Sequence, residues 1–148
     1  MPIFKIRVKE ALLGDRNTQR YLPRVSIADL IYHIEEIQKI VASAYHFVFD
    51  HGPEFKDVCV IYDDTTHLLV GPDLLCDLIA SPHPDANDQD YQSLCWAIAE
   101  KIAEMPLTLS GRSPEVCVRF IAQKTVGSAA VLPDQGTVIC TNYWPKSH

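Results

Sequence analysis

From residue 3 onward, Ile3, Phe4, Ile6 and Val8 are interleaved with Lys5 and Arg7. Such alternation is the pattern of a strand that buries one face, so an opening strand is predicted over 3–9. Residues 10–25 lose the pattern and hold Gly14 and Pro23, which marks a polar connection. The period then lengthens. Positions 27, 30, 34, 37, 41, 44 and 48 are Ile, Leu, Ile, Ile, Val, Ala and Val, a 3-4 spacing that predicts one long helix. Ser26, three before Asp29, offers an N-cap with a capping-box-like partner, and Gly52-Pro53 supplies the stop after about Asp50.

Adding Ile31, Ile40, Tyr45 and Phe47 widens the apolar arc of this helix to roughly 200°, where an ordinary surface helix needs only about 100°. A helix of that kind requires cover on two sides. One is a sheet; the other is a second helix or another chain. Ile40 and Phe47 lie at the edge of the arc, beside Glu36 and Ser43, and are the candidate interface residues. Ile34 and Val41 lie on its central seam and are expected in the core. His33 falls with Ile37, Ile40 and Ala44 and reads as a core histidine with one hydrogen-bond partner.

Further along, Val58 to Tyr62 is a continuous β-branched run, Asp63 to Thr66 a turn, and His67 to Val70 a second strand, giving an expected hairpin. Pro72 to Ala80 suits a short helix opened by proline, with strand as the alternative. Residues 81–89 are a loop by composition. Tyr91, Leu94, Cys95, Ile98, Ile102 and Met105 repeat with helical spacing until Pro106. Val116 to Ala122 reads as a strand, and Ala129 to Trp144, broken at Pro133 to Gly136, as a closing hairpin.

These elements predict a single α+β domain over 1–148: an antiparallel sheet of about five strands with two main helices on one face. The order resembles the βαββαβ ferredoxin-like core, with an extra C-terminal strand. A length of 148 residues with 47% apolar side chains supports one real core. No apolar run approaches the roughly 20 residues that span a bilayer. A cytoplasmic location without membrane contact is therefore expected. The five cysteines are widely spaced among apolar neighbours and form no CxxC pair, which suits inert, buried thiols.

Net charge is −6, but it is uneven: residues 1–24 carry +4 and the remainder −10. The total argues against a broad nucleic-acid face. The basic N-terminal part leaves room for one anionic small molecule, for which Arg16, Arg20 and Arg24 are the candidate ligand-binding residues. Guanidinium groups hold phosphate or carboxylate bidentately, although the same arginines also suit pairing with the acidic remainder of the chain.

Asp63, Asp64 and His67 are the candidate catalytic cluster, since two carboxylates and a histidine could hold a divalent ion and activate water. A turn explains the same residues and is preferred, because neighbours on a strand point to opposite faces. His46 and Asp50, one helical turn apart, with His51 following, lack an HExxH pattern and suit a helix terminus. Asp85 to Asp90 lacks the glycine and glutamate of a calcium loop and reads as a helix cap. Ser110 to Pro114 reads as a turn in preference to an anion cradle. No Walker A, GxGxxG or GxSxG motif occurs. The sequence thus points to a small binding module that self-associates or docks to a protein, with no cofactor and no metal. A small metal-dependent hydrolase using Asp63, Asp64 and His67 is the alternative.

Overall fold

The computed structural model describes residues 2–8, 31–63, 72–83, 85–105, 115–126 and 130–143, the last segment and 123–126 as backbone only. In chain order these hold β1 (Ile3–Val8), α1 (Ile34–Phe49), a 3-10 turn (Phe55–Asp57), β2 (Cys59–Tyr62), β3 (Leu74–Ala80), α2 (Asp88–Glu104), β4 (Val116–Val126) and β5 (Ala130–Tyr143). The sheet order is β2-β1-β3-β4-β5. β1 runs parallel to β2 and β3 parallel to β4, while β1 meets β3 antiparallel. Four strands, β2-β1-β3-β4, form the sheet on which the described core rests, and β5 borders β4 antiparallel.

The expected antiparallel sheet is therefore corrected to a mixed one. A helical crossover carries the chain back to the end of the sheet where it started, so the strands it joins run parallel. Here α1 joins β1 to β2, α2 joins β3 to β4, and each pair are direct neighbours. The ferredoxin-like core instead splits its βαβ units with an inserted strand. A β-α-β-β-α-β order is present, with Leu74–Ala80 as its third strand, but the pairing is not that of the ferredoxin-like core.

Two local expectations change as well, those for 74–80 and for the C-terminal segment. Residues 74–80 form a central strand, not a helix, because Leu74, Cys76, Leu78 and Ala80 bury one face in alternation. Among the described residues β2 pairs with β1 alone, and its expected hairpin partner at 67–70 lies outside them. The anticipated closing hairpin is one strand, β5, whose register against β4 shifts between Ile121 and Gln123.

Register places the core. Phe4, Ile6 and Val8, then Leu74, Cys76, Leu78 and Ala80, then Val116, Val118, Phe120 and Ala122 share one buried face. Ile37, Val41 and Ala44 of α1 and Leu94, Cys95, Ile98, Ala99 and Ile102 of α2 complete the same cluster. Each large aliphatic or aromatic side chain so buried contributes about 1.5–3 kcal/mol. Both helices therefore cover the same side of the sheet.

Helix boundaries follow from capping chemistry. The Asn87 side chain accepts from the Asp90 amide at 3.0 Å, and the Asp90 carboxylate accepts from the Asn87 amide at 3.0 Å. This reciprocal box starts α2 and accounts for the acidic loop ahead of it. α1 ends at Asp50, whose φ of 62° is left-handed and whose amide donates to the His46 carbonyl. Two residues on, a Cβ at Gly52 would lie 2.5 Å from the Tyr45 Cβ, so only glycine lets the chain turn back so closely.

At the other end of α1, Ile34 is 36% exposed and does not join the seam expected of it. Periodicity states which face a residue shares, not how far along the helix its cover extends. His33 is corrected likewise: it occupies the N-cap position, half-buried, with Nδ1 2.9 Å from Glu36 Oε2. Ser26 lies outside the described residues. Among those residues, no helix is long and apolar enough to cross a membrane.

Cys76, Cys95 and Cys117 are buried and Cys59 is half-buried, and none of these four is in a disulfide. Burial pushes the Cys76 thiol well up, and Asp77 and Cys117 nearby add to it. Because the thiolate is the nucleophile, a raised thiol reacts slowly. Iodoacetamide at neutral pH is therefore expected to spare Cys76 in the native protein and modify it in urea. Peptide mapping that found native Cys76 labelled as fast as Cys59 would contradict this burial.

Candidate functional site

α1 and α2 lie side by side on the sheet, and the furrow between them is an apolar concavity. It encloses about 530 Å³. Ile40 and Ala44 of α1 and Ala97 of α2 line it, with Phe47 alongside. Alanines at two of these positions leave the helices without a bulky side chain to fill the gap, so a hollow remains over the core. Phe47 is 83% exposed, the most exposed large apolar side chain of the described residues. A second hollow continues past Phe47 toward Ser93 and Trp96.

The rim is charged with both signs: Glu36 and Lys39 on one helix, Glu100 and Lys101 on the other. Lys39 reaches Glu35 at 3.3 Å and Lys101 reaches Glu104 at 3.7 Å. These pairs are exposed and contribute little, so their partners can be exchanged at small cost. Of the two expected interface residues, Phe47 stands on the surface, while Ile40 is half-buried and packs against the core from the groove side.

The face of the sheet opposite α1 and α2 holds a second polar feature that the sequence reading missed. Lys5, Asp77 and Arg119 stand in register across β1, β3 and β4. Arg119 Nε and Nη2 donate to the two Asp77 carboxylate oxygens at 2.7 and 3.0 Å. Arg7 Nη1 lies 3.6 Å from Asp77, and its Nε donates to Asp63 Oδ2 at 3.3 Å. The Asp77 side chain is only 3% exposed. A single aspartate inside the apolar run Leu74–Ala80, and a single arginine inside Val116–Ala122, was the available signal.

Asp63 is thus held by Arg7, and its backbone amide donates to the Ile6 carbonyl at 2.9 Å. Its proposed companions Asp64 and His67 lie outside the described residues, as do Arg16, Arg20 and Arg24 and the turn at 110–114. Among the described residues no group of three or more potential metal ligands is assembled.

A third cluster sits where the chain leaves α1 and where it leaves β3. His51 Nε2 and His83 Nε2 are 3.0 Å apart. The His83 ring stacks on Phe49, with centroids 5.2 Å apart and planes at 9°. The His83 amide donates to the Tyr91 hydroxyl at 2.7 Å, and the Tyr91 ring stacks on Phe120 at 4.3 Å. Tyr45 borders the same hollow; its hydroxyl is buried and has no hydrogen-bond partner among the described residues. Burial pushes its pKa far up, with smaller contributions from Tyr91 and Cys95, so this phenol stays neutral. Tyr91 is also raised by burial, although its bond to the His83 backbone works the other way. His46, Asp50 and His51 do not form the one-turn pair their spacing allows: His46 and Asp50 are exposed, and His51 meets His83 instead. No pattern of spacing could have revealed a pair separated by 32 residues.

Compared with known proteins, the chain matches no family model, no curated protein and no solved structure.

Proposed function

We propose that this domain is a small interaction module that self-associates through the α1/α2 groove, with a second copy as the occupant. The observation that carries the reading is Phe47, an aromatic side chain standing 83% exposed beside an apolar hollow. In an isologous contact the same patch supplies knob and hole, so Phe47 of one copy enters the groove floored by Ile40, Ala44 and Ala97 of the other. Aromatic anchors seated in such pockets dominate interface energies. Charge supports the same occupant. Glu36 and Glu100 alternate with Lys39 and Lys101 around the rim, so a two-fold axis can set acid against base on both sides.

The test is light scattering combined with circular dichroism. The wild-type chain is expected to be a dimer at micromolar concentration. The double variant Ile40→Lys/Phe47→Asp is expected to be a folded monomer, because Ile37, Val41 and Ala44 keep the buried seam. Loss of an aromatic anchor weakens association by about 2 kcal/mol or more. A wild-type chain still monomeric at high micromolar concentration, or a double variant still dimeric, overturns the proposal.

A further inference from the structure

We propose that His51 and His83 form a two-imidazole site for a divalent transition-metal ion of the copper or nickel type. Their Nε2 atoms face each other at 3.0 Å. Two nitrogens about 2.0 Å from one ion stand about 2.8 Å apart when cis at a right angle and about 3.3 Å apart in a tetrahedron. The observed spacing falls between these values, nearer the first, and Cu²⁺ and Ni²⁺ are the divalent ions that imidazole nitrogens hold most tightly. Among the described residues no carboxylate lines the hollow of about 250 Å³ beside the pair, which disfavours calcium and magnesium. That hollow, next to Ser81 and Pro82, leaves room for water to fill the remaining coordination positions.

The site is supported from behind. His83 is fixed by its stack on Phe49 and by the bond of its amide to Tyr91, which itself rests on Phe120 in the core. Ligands held this way need little reordering on binding. The proton balance also closes. The Asp85 amide donates to His83 Nδ1 at 3.3 Å, so metal-free His83 carries its proton on Nε2 and donates it toward His51. The ion takes the place of that proton, which moves to Nδ1 as the long contact with the Asp85 amide gives way.

Calorimetric titration of the full chain with Ni²⁺ tests the site. One equivalent is expected to bind, and His51→Gln and His83→Gln are each expected to weaken it by about tenfold or more. His46→Gln, one turn back on α1 and exposed, is expected to bind as the wild type does. Circular dichroism checks that the variants are folded; His51 is exposed, so His51→Gln carries the test if His83→Gln is not. Absence of saturable Ni²⁺ binding, or undiminished binding by folded His51→Gln, overturns the proposal.

Discussion

Phe120→Ala is expected to destabilise the domain by about 3–5 kcal/mol, a large share of the roughly 5–15 kcal/mol that holds a domain of this size together. Phe120 is fully buried at the centre of β4, where its ring lies against Tyr91 of α2 at 4.3 Å and 18°. Truncation removes the transfer energy of the ring and leaves a cavity between sheet and helix that rigid neighbours fill only partly. The stack with Tyr91 adds about 0.5–1.5 kcal/mol beyond the buried area. The effect should also reach the surface, because the Tyr91 hydroxyl accepts the His83 amide. Urea unfolding gives the cost. Phe47→Ala is the comparison, and its midpoint is expected to stay near the wild-type value at protein concentrations where the chain is monomeric. A Phe120→Ala cost below about 1 kcal/mol would contradict the packing described for β4 and α2.

Asp77→Ala is expected to cost about 3 kcal/mol, the lower end of what removing one partner from a buried ion pair does. The carboxylate is almost fully enclosed and answers two guanidinium groups. Without it, Arg119 loses its two-pronged carboxylate contact and Arg7 is left with Asp63, on a face where neither side chain is fully hydrated. Both retain some exposure, which holds the cost at the lower end. Asp77→Asn is expected to cost less, since it keeps one acceptor for Arg119. The double replacement Asp77→Leu/Arg119→Met is expected to recover most of the loss, because apolar groups of similar size avoid the desolvation penalty. Thermal and urea unfolding of the three variants give the ranking. An Asp77→Ala variant as stable as wild type, or a double variant worse than the single, would show that the pair is not buried as described.

Most of the secondary structure was legible in the sequence because each element there follows one local rule. Alternation in Ile3–Val8 and helical spacing from Tyr91 to Met105 mark faces that the structure buries. Asn87 and Asp90 cap a helix by chemistry confined to four residues. Leu74–Ala80 was ambiguous for a local reason: Asp77 is the only strongly polar residue in a short apolar run, so the period could not be measured. Only the neighbouring strands, in register on both sides, make it the centre of a sheet.

By itself, the sequence determined an α+β chain, its two main helices and the excess apolar surface of α1, since periodicity and capping act over a few residues. Tertiary structure alone decided three things. Strand direction depends on which elements pair across the sheet, and that made it mixed. The lateral fit of α1 against α2 buried Val41, left Phe47 outside and opened the groove between them. Long-range closure brought Asp77 to Arg119 and His51 to His83, pairs 42 and 32 residues apart. Contacts between residues that far apart in the chain leave no local period, because their selection rests on the packing of the whole sheet and its helices.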